Sequence, residues 1–175
     1  MPIDTSIKFV PINIAIITIS DTRDLNNDIS GNILEKRIKT LGHKVIIRKI
    51  IKDDVSVIKK ILIKLSANKK IDCIITTGGT GLTGRDSTPE AVLEIADKII
   101  DGFGELFRQV SFKKIGTSTI QSRAIGALIN NTYIFCLPGS TGACKDGWDK
   151  ILKFQLDIRF KPCNFIEIMP RLNDK

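Results

Sequence analysis

The 175-residue chain has one histidine, ten aromatic residues and four cysteines, none of them in a C-x-x-C spacing. The single histidine, His43, follows Gly42 in a turn ahead of an apolar run, so neither a histidine-dependent triad nor a multi-histidine metal site is expected. Cys73 and Cys136 lie inside apolar runs, where a small buried hydrophobe is the expected role, and neither a zinc site nor a disulfide framework is indicated. Chemistry must therefore rest on carboxylates, hydroxyls and backbone amides. No apolar stretch approaches the ~20 residues of a membrane span; Ile12 to Ile19 is interrupted by Asn13 and Thr18. Met1-Pro2-Ile3-Asp4 carries an acid where a signal peptide carries base, and no apolar segment with a small-residue cleavage site follows, so a cytoplasmic location is expected.

What is abundant is lysine and isoleucine. The formal charge is +8, which by itself suggests a polyanionic partner. Yet 19 of the 27 cations are Lys and the chain holds 32 Ile, the bias expected of AT-rich coding rather than of phosphate-contacting arginines. The lysines are scattered or occur in pairs such as Lys59-Lys60 and Lys69-Lys70, which fit solvated helix faces. Without basic and aromatic residues interleaved, nucleic acid is not expected as a partner.

Period and punctuation predict alternating strands and helices. Residues 12–19, 44–51 and 71–76 read as strands, and residues 29–41 and 55–65 as helices with apolar positions at helical spacing. Thr88-Pro89-Glu90 opens a helix expected to run to about Lys98. Residues 102–110 and 119–127 read as two further helices, and residues 143–160 as a final one. Asn130-Asn131 between 127–129 and 132–137 suits a tight hairpin. Such alternation predicts an α/β fold with a mostly parallel sheet, and neither repeat nor linker interrupts it.

In an open α/β sheet, ligands gather outside the carboxyl ends of the strands. Four segments stand there: Ser20-Asp21 through Asp28, Asp53-Asp54, Thr76 to Asp86, and Pro138-Gly139-Ser140. The third, Thr77-Gly78-Gly79-Thr80-Gly81 onward, lets consecutive backbone amides cradle an anion, with phosphate the natural guest. Arg85-Asp86 stands where a Walker loop has Lys-Ser/Thr, so that motif is excluded. A carboxylate such as Asp86 beside a phosphate cradle calls for a cation, and Mg²⁺ held by one or two carboxylates and phosphate oxygens is the common solution, with Asp53 or Asp54 completing it. Spacing alone leaves Asp53 equally suited to capping the helix after it. The alternatives are a purely structural turn for the glycines and loop and cap roles for Asp21 and Asp28, while Arg108 and Arg123 read first as solvated or paired surface arginines.

Thr76-Thr-Gly-Gly-Thr-Gly-Leu-Thr-Gly-Arg-Asp-Ser-Thr-Pro-Glu-Ala91, Gly102-Phe-Gly-Glu-Leu-Phe-Arg108, Gly116-Thr-Ser-Thr-Ile-Gln-Ser-Arg-Ala124 and Leu137-Pro-Gly-Ser-Thr141 together resemble the MoaB/MogA family of molybdopterin-binding, adenylyltransferase-type domains. The resemblance spans about residues 12–165 and treats residues 1–175 as one such domain. It implies a three-layer α/β/α sandwich assembled as a homo-oligomer, trimer or hexamer, for which the region 102–123 is a candidate surface. It also implies adenylylation of molybdopterin by ATP with Mg²⁺, giving adenylyl-molybdopterin and pyrophosphate. By the same resemblance, Asp86 and Asp53 are the catalytic and metal-holding acids. Ser20, Asp21, Asp28, Thr77, Gly78, Gly79, Thr80, Gly81, Pro138, Gly139 and Ser140 would border nucleotide and pterin. Other proteins of the molybdenum cofactor pathway are implied partners, and a pterin carrier with weak catalysis is the alternative within the family.

Overall fold

Ile14 and Ile16 enter one hydrophobic cluster while Ala15, Ile17 and Ile19 enter another, so strand β1 (Asn13–Ile19) is apolar on both faces. Such a strand must be covered on both sides, which is the condition of a parallel sheet between helical layers. A computed structural model describes residues 3–174. Met1 and Pro2, on which part of the leader reading falls, and Lys175, the end of the expected domain, lie outside the described residues.

The sheet has six strands in the order β2-β1-β3-β6-β5-β4. β1 pairs in parallel with β2 (Lys44–Ile51) and β3 (Cys73–Thr77), and β3 with β6 (Thr132–Leu137). β5 (Ile125–Ile129) runs antiparallel to β6 and to the two-residue edge strand β4 (Lys98–Ile99). Helices α1 (Ile29–Leu41), α4 (Asp101–Ile115) and α5 (Thr141–Gly147) cover one face, packing Leu34, Ile38, Phe103, Phe107 and Cys144 against Ile14, Ile16, Ile75 and Phe135. Helices α2 (Val55–Ser66) and α3 (Thr88–Leu93) cover the other with Ile58, Leu62 and Val92. The fold is therefore the expected three-layer α/β/α arrangement around a mostly parallel sheet.

Register brings the carboxyl ends of the strands to one rim. Thr18 pairs with Thr77 and Thr77 with Leu137, while Ile19 pairs with Ile51, so four parallel strands end level with one another. The chain winds from β1 outward to β2 and then back across to β3, which leaves a topological switch between β1 and β3 at that rim.

Three expected elements differ. The helix opening at Thr88 stops at Leu93, because Asp97 donates its amide to the Leu128 carbonyl and Ile100 to the Gly126 carbonyl, drawing the chain into the sheet edge. Instead of a helix over 119–127 there is a 3₁₀ turn, Gly116–Gln121, and then β5. Gly126 lets β5 lie directly under α4, since a Cβ there would stand 2.9 Å from that of Phe103. The final helix is broken, with α5 passing into a π-helical stretch, Trp148–Leu152, that buries Trp148, Ile151 and Leu152, and closing at α6 (Lys153–Gln155). The apolar period is real there, but the turn geometry is not uniform.

Candidate functional site

Gly78 has φ +106° and a Cβ at that position would run into the Ile19 carbonyl, so the chain leaves β3 in a conformation and at a proximity to β1 that only glycine permits. Gly79 follows at φ +64°, and a Cβ on it would lie 2.7 Å from Asp53 Oδ2. The turn is pinned on all sides. Gly78 donates its amide to the Leu137 carbonyl at 3.0 Å, Thr88 Oγ1 donates to the Gly78 carbonyl at 3.0 Å, and the Thr88 amide donates to the Gly79 carbonyl at 2.9 Å. The loop after β6 closes against it, with a Cβ on Gly139 falling 3.3 Å from the Gly78 Cα.

The spacing alternative at Asp53 and Asp54 resolves here. Asp54 caps α2, its Oδ1 accepting from the Val57 amide at 2.9 Å and from Ser56 Oγ. Asp53 turns the other way, its Oδ1 accepting from the Ser87 amide at 3.1 Å and Ser87 Oγ at 2.7 Å. Asp86, the residue before Ser87, bends back over its own loop and accepts from the Thr83 amide at 2.9 Å and Thr83 Oγ1 at 2.6 Å, both through Oδ2. Those bonds from Thr83, with the Arg123 charge nearby, hold the Asp86 carboxyl below the usual carboxylate range. It is an anion at neutral pH, suited to a cation and not to giving up a proton.

A cavity of about 550 Å³ opens beside the turn, the size of a site for a small organic ligand. Of the expected residues, Gly78, Gly79, Thr80, Gly81, Asp86, Pro138, Gly139 and Ser140 line it. Ser140 also caps α5, accepting from the Ala143 amide at 3.1 Å. Asp53 reaches the turn from behind and does not line the cavity. Thr77 is buried, donating to the Pro138 carbonyl at 3.1 Å. Ser20 organises the start of its loop by accepting from the Thr22 and Arg23 amides, and Asp21 is paired with Arg85 at 2.5 Å on the exposed side.

Asp28, expected at the pocket border, is instead fully buried. Its oxygens are taken by Thr18 Oγ1 at 2.7 Å, the Gly31 amide at 3.0 Å and Arg48 Nη2 at 3.1 Å, because it caps α1 and an unpaired carboxylate in that position would be costly. Beside it, Arg23 and Ser30 donate to the Gly139 carbonyl, tying the loop after β1 to the loop after β6.

The far wall was not anticipated. Phe107, Ser111, Lys114 and Ser118 line the cavity, and Lys114 is ion-paired with Asp146 of α5, which is itself nearly buried. The first three are spaced by four and three residues along α4, so the helical stripe that begins with buried Phe107 runs on into polar positions, and that continuation was the available signal. Among the described residues no group of three or more His, Cys, Asp or Glu is placed to hold a metal, and no helix is long and apolar enough to cross a membrane.

A cavity at the carboxyl rim of the sheet, walled by the glycine turn after β3 and by the loop after β6, with carboxylates on and behind that turn, defines an α/β protein with a ligand-sized pocket at the ends of its parallel strands. The family model described as "Probable molybdopterin binding domain" matches residues 15–157, and the chain belongs to that family. It is 44% identical over 160 residues to molybdenum cofactor biosynthesis protein B of Escherichia coli strain K12, covering 91% of this chain and 94% of that protein. The corresponding protein of Staphylococcus epidermidis is 43% identical over 150 residues, covering 83% and 85%. A crystal structure of molybdenum cofactor biosynthesis protein B superposes with a TM-score of 0.82 at 42% identity, covering 84% of this chain and 92% of that one. A role in molybdenum cofactor biosynthesis and a molybdopterin-binding domain follow from these likenesses.

Proposed function

We propose that the chain adenylylates molybdopterin. A terminal phosphate oxygen of molybdopterin attacks the α-phosphorus of ATP, the bond from that phosphorus to the bridging oxygen of the β-phosphate breaks, and pyrophosphate leaves. The observation that carries the reading is a pair of carboxylates, one on the loop that continues the glycine turn and one packed against the turn. Asp86 lies on the pocket wall and Asp53 against Gly79, and the two are joined through Ser87, which is adjacent to Asp86 in the chain and bonded to Asp53.

The donor set suits Mg²⁺. Asp53 keeps Oδ2, and Asp86 keeps Oδ1, outside the bonds to Ser87 and Thr83. Two carboxylates without a full protein cage match an ion that takes most of its ligands from phosphate and water. Bound there, Mg²⁺ would neutralise charge developing on the transferring group. The chain's own part is positioning: the amides of the turn receive phosphates, and Asp53 and Ser87 hold the turn in place.

Purified protein given ATP, Mg²⁺ and molybdopterin is expected to form adenylyl-molybdopterin and pyrophosphate. Asp86→Asn, which keeps volume and removes charge, is expected to lower the rate by about a hundredfold or more. Full activity in that variant rejects the metal role of Asp86. Pterin binding without product supports a carrier in the same pathway instead. A cytoplasmic location, a trimeric or hexameric assembly and contacts with other cofactor-pathway proteins complete the proposal.

A further inference from the structure

Outside the lining of the cavity, one guanidinium divides its donors between the loop that follows the glycine turn and the helix after it. Arg123 donates from Nε to the Gly81 carbonyl at 2.7 Å, from Nη2 to the Asp86 carbonyl at 2.8 Å, and from Nη1 to the Glu90 carboxylate. Gly81 and Asp86 are the two ends of a loop whose intervening residues, 82–85, are exposed. Arg123 is absent from the lining of the cavity, although Ser122 beside it is present. It lines a second, smaller depression with Glu90 and Arg108, to which no residue of 81–86 contributes.

Peptide geometry carries an effect from that position across the loop to Asp53. In a trans peptide the carbonyl and the amide of the next residue point in opposite directions. Holding the Asp86 carbonyl toward Arg123 therefore aims the Ser87 amide away from it, and that amide is the donor to Asp53 Oδ1 at 3.1 Å. One peptide unit is gripped at both ends, by Arg123 at its carbonyl and by Asp53 at its amide. Holding the Gly81 carbonyl likewise turns the Leu82 amide away from the guanidinium. A lysine could supply the charge but not the planar fork that reaches two carbonyls and a carboxylate at once.

We propose that Arg123 is a positioning residue that sets the shape of the Gly81–Asp86 loop, and through it the affinity of the pocket for phosphate, without touching the ligand. The identity of that ligand as MgATP rests on the adenylylation reading, whereas the hold on the loop does not. Glu90 is the anchor that keeps the guanidinium in register.

Full-length wild type, Arg123→Lys, Arg123→Ala and Glu90→Gln are compared by amide hydrogen exchange without ligand and by calorimetric titration with MgATP. Exchange at residues 82–87 is expected to quicken about tenfold in Arg123→Lys, and its MgATP dissociation constant to rise about tenfold, a loss of roughly 1.4 kcal/mol. Amides of β1 and β3 should keep wild-type protection, and Glu90→Gln should shift both readouts the same way by a smaller factor. Guanidinium added to Arg123→Ala is expected to restore part of the affinity. Unchanged loop exchange in Arg123→Lys overturns the proposal. So does a loss of protection spread across the strands, which would make the arginine a general stabiliser. Should Arg123→Ala fail to fold, Arg123→Lys and Glu90→Gln still decide. A wild-type chain that takes up no MgATP rejects the nucleotide reading, while exchange in the free protein still judges the arginine.

Discussion

His43 is buried beneath Phe9 and edge-on to Trp148, and its Nδ1 accepts the Ile12 amide at 3.2 Å. The ring therefore carries its proton on Nε2 and is neutral in the fold. Burial opposes a positive charge and pushes its pKa from 6.5 down to about 4. The unfolded chain takes up a proton at higher pH than the folded one, so this contribution to stability is fully present above pH 6.5. It is lost progressively as pH falls from 6.5 toward 4, by up to about 3 kcal/mol. Carboxylates also titrate in that window, and a control is needed to isolate the ring. Asn can place an amide oxygen near Nδ1 without titrating, so His43→Asn is expected to show a shallower fall in urea-unfolding free energy from pH 6.5 to 4 than wild type. Parallel curves for the two proteins would reject the assignment. The sequence places His43 in a turn between Gly42 and an apolar run, and its burial under Phe9 and Trp148 was not legible there, since those contacts come from distant parts of the chain.

At the scale of elements, local chemistry was readable wherever one signal dominated. The hairpin between β5 and β6 turns on Asn130 and Asn131, both at positive φ, 49° and 63°, in the geometry that suits the right-handed twist of paired strands. Asn tolerates that region better than a residue with an aliphatic side chain. Asn131→Ala is expected to cost about 1 kcal/mol in thermal or chemical unfolding, whereas Asn131→Gly should fall within a few tenths of wild type. Equal losses in both would trace the effect to the bond that Asn131 donates to Asn173 instead of to the backbone. Elements went unread where tertiary contacts overrode the local pattern. Residues 94–99 continue a helical period, yet the edge of the sheet at Gly126 and Leu128 offers carbonyls to Asp97 and Ile100, and a strand is drawn out. The π-helical stretch at Trp148 keeps the apolar residues inside while changing the number of residues per turn, a change that periodicity alone does not register.

For the whole molecule, the rim on which the site stands followed from strand alternation, because parallel strands ending level must deliver their ensuing loops to one place. The assignment of individual side chains did not follow. Asp28 and Asp53 both lie in loops that follow strands, but one is sealed under Arg48 as a helix cap while the other faces the turn, and only the packing of α1 and α3 separates them. The outer surface poses the reverse case, with large apolar groups lacking an internal partner. Phe112, Ile115 and Ile120 are 56%, 54% and 82% exposed at the end of α4 and in the 3₁₀ turn beyond it, within the region whose sequence suits an oligomer surface. Ile115 also lines the cavity, so a partner chain covering this face would lie beside the pocket mouth. Light scattering is expected to give a mass of three or six chains for the wild type. Phe112→Asp combined with Ile120→Asp should reduce it to one chain with an unchanged circular dichroism spectrum, because neither side chain contributes to the interior that holds the monomer together. An assembly that survives both charges must use another face, and a wild type of single-chain mass would reject the oligomer altogether.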